Sequence, residues 1–227
     1  MKQRYQLHDT GERLELQDTH APKTGSVYVD FTAGKVRHRL QFGGGKGQDI
    51  AKAIGLHKIK HPHVIDATAG LGREAFVLAS LGCSVTLLER SPMIYALLQD
   101  GLRRAQQSGD ETIRAIVARM TLHHTEAFDW LNHLSDNAYP DVIYLDPMFP
   151  ERRKSALIQK EMRCLQAIVG DNTDANRLLA IARRRARHRV SVKRPRLAPP
   201  LAECPPAFVI KGKVVRYDIY LPWPQKS

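Results

Sequence analysis

The chain has 227 residues, 43% of them hydrophobic, which suffices for one cored domain with a small appendage. It holds no apolar run near the roughly 18 residues of a membrane span, no apolar stretch behind its first residues, and three scattered cysteines, Cys83, Cys164 and Cys204. These features argue against a membrane anchor, a secretory signal, a disulfide framework and a zinc spacing and favour a reducing cytoplasm, while a net charge of +12 makes nucleic acid the first partner to expect.

Residues 1–60 read as a small β-rich subdomain. Short strands are predicted at 27–31 and 36–40 around a turn at Ala33-Gly34, followed by the cationic loop Gly43-Gly-Gly-Lys-Gly47. The loop lacks P-loop spacing. Its amides and Lys46 could meet phosphate, or its glycines could simply close a hairpin. Asp49 then caps a helix that stops at Gly55.

From residue 61 to the end, strand and helix patterns alternate, the signature of a parallel sheet. Strands are expected at 64–68, 85–89, 120–124, 142–145 and 190–194, and helices at 73–81, 91–107, 126–134, 155–169 and 176–187. Ser91 and Pro92 form a cap and first turn, and Gly82 ends the helix before it. The chain closes with a hairpin over 208–221 that turns at Lys211-Gly-Lys213.

Functional residues collect at the predicted strand ends. Asp66-Ala-Thr-Ala-Gly-Leu-Gly72 is a strand–loop–helix motif in which Gly70 and Gly72 let the backbone approach a ligand. It is not GxGxxG, which argues against a nicotinamide oxidoreductase. Glu89 lies 23 residues after Asp66 and ends the next strand, where a carboxylate takes ribose hydroxyls. Thr125 and Glu126 end the third strand, either beside an adenine ring or as a helix cap and first-turn acid. The fourth strand runs into Asp146-Pro-Met-Phe-Pro150. There two prolines stiffen a loop that offers a carboxylate, carbonyls and a phenyl face to a planar base bearing an exocyclic amine. Eight Lys or Arg lie between Arg183 and Arg196, and no acid interrupts the run from Asp174 to Glu203. Such a stretch suits phosphate.

These strand ends in order resemble a class I S-adenosylmethionine-dependent methyltransferase, a Rossmann-like α/β fold. That fold has a mostly parallel seven-stranded sheet and a terminal antiparallel hairpin. The strings DATAGLGREAFVLASLG, VIYLDPMFP, KSALIQKEMR and KGKVVRYDIY are similar to those of the ribosomal RNA small subunit methyltransferase J family, as is FGGGKG. The resemblance covers residues 25–221 and departs at the amino end, where members often carry more residues. It implies methylation of the exocyclic N2 of one guanosine in 16S rRNA, with S-adenosylmethionine as donor, the small ribosomal subunit as partner, and no metal. It places cofactor contacts on Arg73, Glu74, Glu89, Arg90, Thr125, Glu126 and Asp146, beside Asp66, Gly70 and Gly72.

In this reading Asp146 and the Pro147 carbonyl accept the amine protons, and Phe149 stacks on a flipped or single-stranded base. Lys46, Arg183, Arg184, Arg187, Lys193 and Arg194 grip phosphates. The alternatives are an N6-adenine methyltransferase of RNA or DNA, since the Asp-Pro loop serves either base, and a non-catalytic ribosome-binding module.

Overall fold

The computed structural model describes residues 4–21, 25–32, 45–147 and 174–224. The predicted strand 36–40, the predicted helix 155–169 and Phe149 lie outside these.

A hairpin that the sequence reading did not anticipate opens the chain. It consists of β1 (Tyr5–Asp9) and β2 (Leu14–Asp18), with Gly11 in the turn at φ +82°. Four of the five β1 residues are exposed, so the strand carries little apolar signal. The predicted strand 27–31 is instead an extended segment with a single bridge, Val27 to Leu16. Its alternation is real but serves packing rather than a ladder. Val27, Val29 and Phe31 are buried, and Phe31 stacks on Phe76 with ring centroids 4.9 Å apart. A short helix, α1 (Asp49–Ile54), follows a 3-10 turn at Gly45–Gly47 and ends at Gly55; Gln48, not Asp49, occupies its cap position.

The rest alternates as expected: β3 (His63–Asp66), α2 (Arg73–Ser80), β4 (Ser84–Glu89), α3 (Pro92–Gln106), α4 (Glu111–Val117), β5 (Met120–His124), α5 (Ala127–Asn132), β6 (Val142–Leu145), α6 (Ala175–Arg185), β7 (Arg189–Pro195), β8 (Phe208–Lys211) and β9 (Val215–Tyr220). Ser91 caps α3, its hydroxyl accepting from the Ile94 amide, with Pro92 in the first turn. The sequence reading gave α4 no element. Its signal was present in Asp110, whose carboxylate accepts the amides of Thr112 and Ile113.

One seven-stranded sheet forms in the order β5-β4-β3-β6-β7-β9-β8. β3 to β7 pair in parallel, while β9 runs antiparallel to both β7 and β8. Central β6 is buried along its whole length, as a strand covered on both faces must be. One core joins the hairpin, the 27–31 segment and helices α1 to α4 to one face, and a second joins α5 and α6 to the other.

This topology fixes two edges. The carboxyl ends of β3, β4, β5 and β6 share one edge, where open α/β sheets bind ligands. Antiparallel β9 brings the β8–β9 turn to that same edge, because Val215 pairs with Pro195 at the end of β7. The residues linking α6 to β7 lie at the opposite edge. The Arg187 amide donates to the Pro140 carbonyl and the His188 amide to that of Asp141, both just ahead of β6.

Candidate active site

The glycine loop joins β3 to α2. Gly70 and Gly72 adopt φ of +53° and +72°, which L side chains rarely hold. A Cβ at Gly72 would meet Leu98 Cδ1 at 2.7 Å, whereas at Gly70 it would meet only the Thr68 carbonyl at 3.9 Å. Gly72 is thus required by packing, and Gly70 leaves its backbone open to a ligand.

Polar ties bind this loop to its neighbours. Glu89, 5% exposed, accepts the Gly70 amide at 3.0 Å and the Ser91 amide at 2.8 Å. The Asp66 carboxylate accepts the Thr68 amide at 3.1 Å, and the Thr68 hydroxyl accepts the Asp146 amide at 2.7 Å. Through Thr68, the end of β3 holds the start of the Asp-Pro loop. A carboxylate has about four acceptor sites, so Glu89 retains capacity for ligand hydroxyls beside its two amides.

Asp66, Glu74, Glu89 and Asp146 form an acidic cluster, and Lys193 is turned into it. Asp66, Tyr144 and Ser191 are register partners on adjacent parallel strands and share a face. Lys193 lies two residues beyond Ser191 on that face. Its Nζ donates to Glu74 Oε1 at 2.8 Å and to Asp146 Oδ2 at 2.7 Å. Burial alone would lower the Lys193 pKa, but the Glu74 and Asp146 carboxylates outweigh it and raise it well above the usual value. Beneath this pair the Tyr144 hydroxyl is fully buried, with no hydrogen-bond partner among the described residues, and burial lifts its pKa.

Burial also pushes the Asp66 carboxyl up to about 8, aided by the Glu74, Asp146 and Glu89 charges against the Thr68 amide. The unfolded chain therefore ionises first. Stability is lost as pH rises from about 4 to about 8, by up to about 1.4 kcal/mol per pH unit. Asp66→Asn removes that slope. Its stability gain over the wild type, read from denaturant melts, is expected to be larger at pH 8 than at pH 5; an equal gain at both would refute the shift.

Glu126 pairs with Arg90 at 3.8 Å, and the Thr125 amide donates to the Glu89 carbonyl at 3.0 Å. The end of β5 thus lies beside that of β4. Pro147 is buried next to Asp146, and Arg73 is exposed at the first position of α2.

The cations assigned to phosphate are separated by the fold. Lys193 faces the carboxylates. Arg194 is 2% exposed on the other face, its Nε donating to the Pro199 carbonyl at 3.1 Å. Arg183 donates to the Leu221 carbonyl at 3.0 Å and lies with Arg184 over the Trp223 ring. Arg187 donates to the Asn137 carbonyl at 2.8 Å. These last three sit toward the edge opposite Asp146. The Lys46 backbone belongs to the 3-10 turn ahead of α1; its side chain is outside the described residues. Sequence reasoning missed the part Lys193 plays, although its alternation with buried Val190 and Val192 carried the signal.

The site fits the cationic methyl donor that the resemblance implies. Gly70 offers open backbone, Glu89 a carboxylate at the neighbouring strand end, and the cluster sets four acids against Lys193. Among the described residues there is no group of three His, Cys, Asp or Glu suited to a metal, and no helix long and apolar enough to cross a membrane.

Comparison with known proteins agrees with this chemistry. The family model for SAM-dependent methyltransferases matches residues 1–222. A ribosomal RNA small subunit methyltransferase J from Aeromonas salmonicida is 56% identical over 213 residues, 93% of this chain and 84% of its own length. The protein of that name from Pectobacterium atrosepticum is 51% identical over 213 residues, covering 94% of this chain and 85% of the relative. The crystal structure of a SAM-dependent methyltransferase from Neisseria gonorrhoeae superposes with a TM-score of 0.80 at 38% identity, covering 100% of this chain and 86% of that one.

Proposed function

The chain belongs to the ribosomal RNA small subunit methyltransferase J family of S-adenosylmethionine-dependent enzymes, and from that premise we propose that it methylates the exocyclic N2 of one guanosine in 16S rRNA. The observation that carries the reading is Asp146. It stands at the carboxyl end of β6, its amide held by Thr68 of the glycine-motif loop and its carboxylate by Lys193.

S-adenosylmethionine, when bound, supplies an electrophilic methyl group. Asp66, Gly70, Gly72, Arg73, Glu74, Glu89, Arg90, Thr125, Glu126 and Asp146 are the residues proposed to hold it, with Glu89 taking the ribose hydroxyls. The guanine N2 lone pair is delocalised into the ring and attacks poorly. Asp146 and the Pro147 carbonyl accept hydrogen bonds from the two N2–H groups, which favours a pyramidal nitrogen and orients its lone pair, and the one proton that N2 sheds on methylation leaves through the Asp146 carboxylate. As positive charge grows on N2, the Asp146 carboxylate stabilises it in a partly dry site. Phe149 stacks on the base, which must be single-stranded or flipped, because a paired N2 is out of reach.

The partner proposed is the small ribosomal subunit or its RNA, and the place of work the cytoplasm. The net charge of +12 supports an RNA partner. The same loop would accept an adenine amine, and the family relationship favours guanine.

The test is methyl transfer from labelled donor to small subunits lacking the modification, followed by nucleoside mass spectrometry. N2-methylguanosine at one mapped position is the expected product. N6-methyladenosine, or no incorporation, would sink the proposal.

A further inference from the structure

Resting on that reading, we propose that the RNA docks on the edge formed by the β8–β9 turn and the loop after β7. Arg196, Lys211 and Lys213 take phosphates there, and Leu197 and Val214 lie against bases. The topology places this surface beside the chemistry. β7 carries Lys193, which holds Asp146, and Arg196 and Leu197 follow directly after its last residue, Pro195. Val215 pairs with Pro195 and Lys211 with Arg216, so both sides of the β8–β9 turn reach the same edge. Arg216 Nη1 donates to the Arg196 carbonyl at 2.9 Å and ties the loop to the hairpin.

The surface has the chemistry of an RNA-binding face. Arg196, Lys211 and Lys213 are exposed, and among the described residues none of them is in an ion pair. Arg216, by contrast, is neutralised by Asp218 at 2.7 Å. Two apolar side chains stand among these cations, Leu197 at 94% exposure and Val214 at 74%. Lone exposed apolar residues are ordinary, but two on one cationic edge match a polymer that presents phosphates and base faces together.

The arginine run is poorly placed for the same task. β7 spans Arg189–Pro195, roughly 20 Å at about 3.3 Å per residue, and Arg183, Arg184 and Arg187 lie before it. Their guanidiniums are engaged with carbonyls and Trp223.

The experiment compares wild type, the double variant Lys211→Glu/Lys213→Glu, Leu197→Ser and the counter-variant Arg184→Glu/Arg187→Glu on unmodified full-length 16S rRNA and on small subunits. Equilibrium RNA binding, KM, kcat and salt dependence are measured, with donor affinity by calorimetry and thermal melts as controls for folding. The double lysine variant should raise KM about tenfold or more at near-constant kcat and donor affinity, and lower the salt slope by about two. Leu197→Ser should raise KM severalfold and leave the slope unchanged. The proposal is overturned if the hairpin variants bind RNA as wild type does, or if the arginine counter-variant alone carries the loss. It is equally overturned if binding weakens to assembled subunits but not to RNA, which would mark a protein contact. If wild type methylates no guanosine yet the hairpin variants still lose RNA, the functional reading fails and the docking surface stands.

Discussion

Asp146→Ala is expected to leave donor binding measurable and to lower methyl transfer by about 10²–10³-fold or more, the usual cost of deleting one preorganised electrostatic contact to a transition state. The loss should fall on kcat, because in the proposed mechanism Asp146 acts on charge that appears on N2 only during transfer. A structural explanation is separable. Alanine strips Lys193 of one carboxylate and leaves it that of Glu74, so some stability is lost as well. Asp146→Asn keeps the shape and an acceptor oxygen but removes the charge. If charge stabilisation dominates, the Asn variant should be nearly as slow as Ala while melting closer to wild type. Wild-type turnover in either variant removes Asp146 from the mechanism.

Lys193→Met should lower kcat on the order of 10–100-fold, the scale of a misplacement near 1 Å, with little change in KM for RNA. One ammonium bridges Glu74 of α2 and Asp146 after β6 at 2.8 and 2.7 Å. Without it two partly buried carboxylates face each other, and the Asp146 side chain loses one of the contacts that position it. Lys193→Arg retains the charge and two donors and should recover part of the rate, although a planar fork replaces a point donor. A phosphate-gripping lysine predicts the opposite split, with raised KM, a shallower salt slope and kcat kept. NMR adds a reading independent of turnover. An ammonium held in this pair should exchange slowly with water and shift in Glu74→Gln, and fast exchange matching surface lysines would contradict the assignment.

Much of the edge proposed to be catalytic was legible in the sequence because each part has a local cause. Gly70 and Gly72 hold left-handed φ. Ser91 and Pro92 start α3 where a cap and a first-turn proline should. Val142–Leu145 reads as a strand because all four of its residues are buried. Where local signal is weak, the reading failed. β1 buries only Tyr5, and the alternating 27–31 segment packs on helices because β2 offers it a single bridge.

Charge was the least legible property. Arg183 to Arg196 is one basic run in the sequence, and the fold divides it three ways. Sequence alone determined the family, the parallel sheet, and the glycine turn, Glu89 and Asp146 at successive strand ends, since strand periodicity and turn chemistry act over a few residues. Only the tertiary structure decided that Lys193 serves Asp146, that Arg194 points into the opposite face, and that Arg183, Arg184 and Arg187 lie at the far edge. The face of a strand residue follows from its register with neighbours remote in the chain, and its edge from the direction in which those neighbours run.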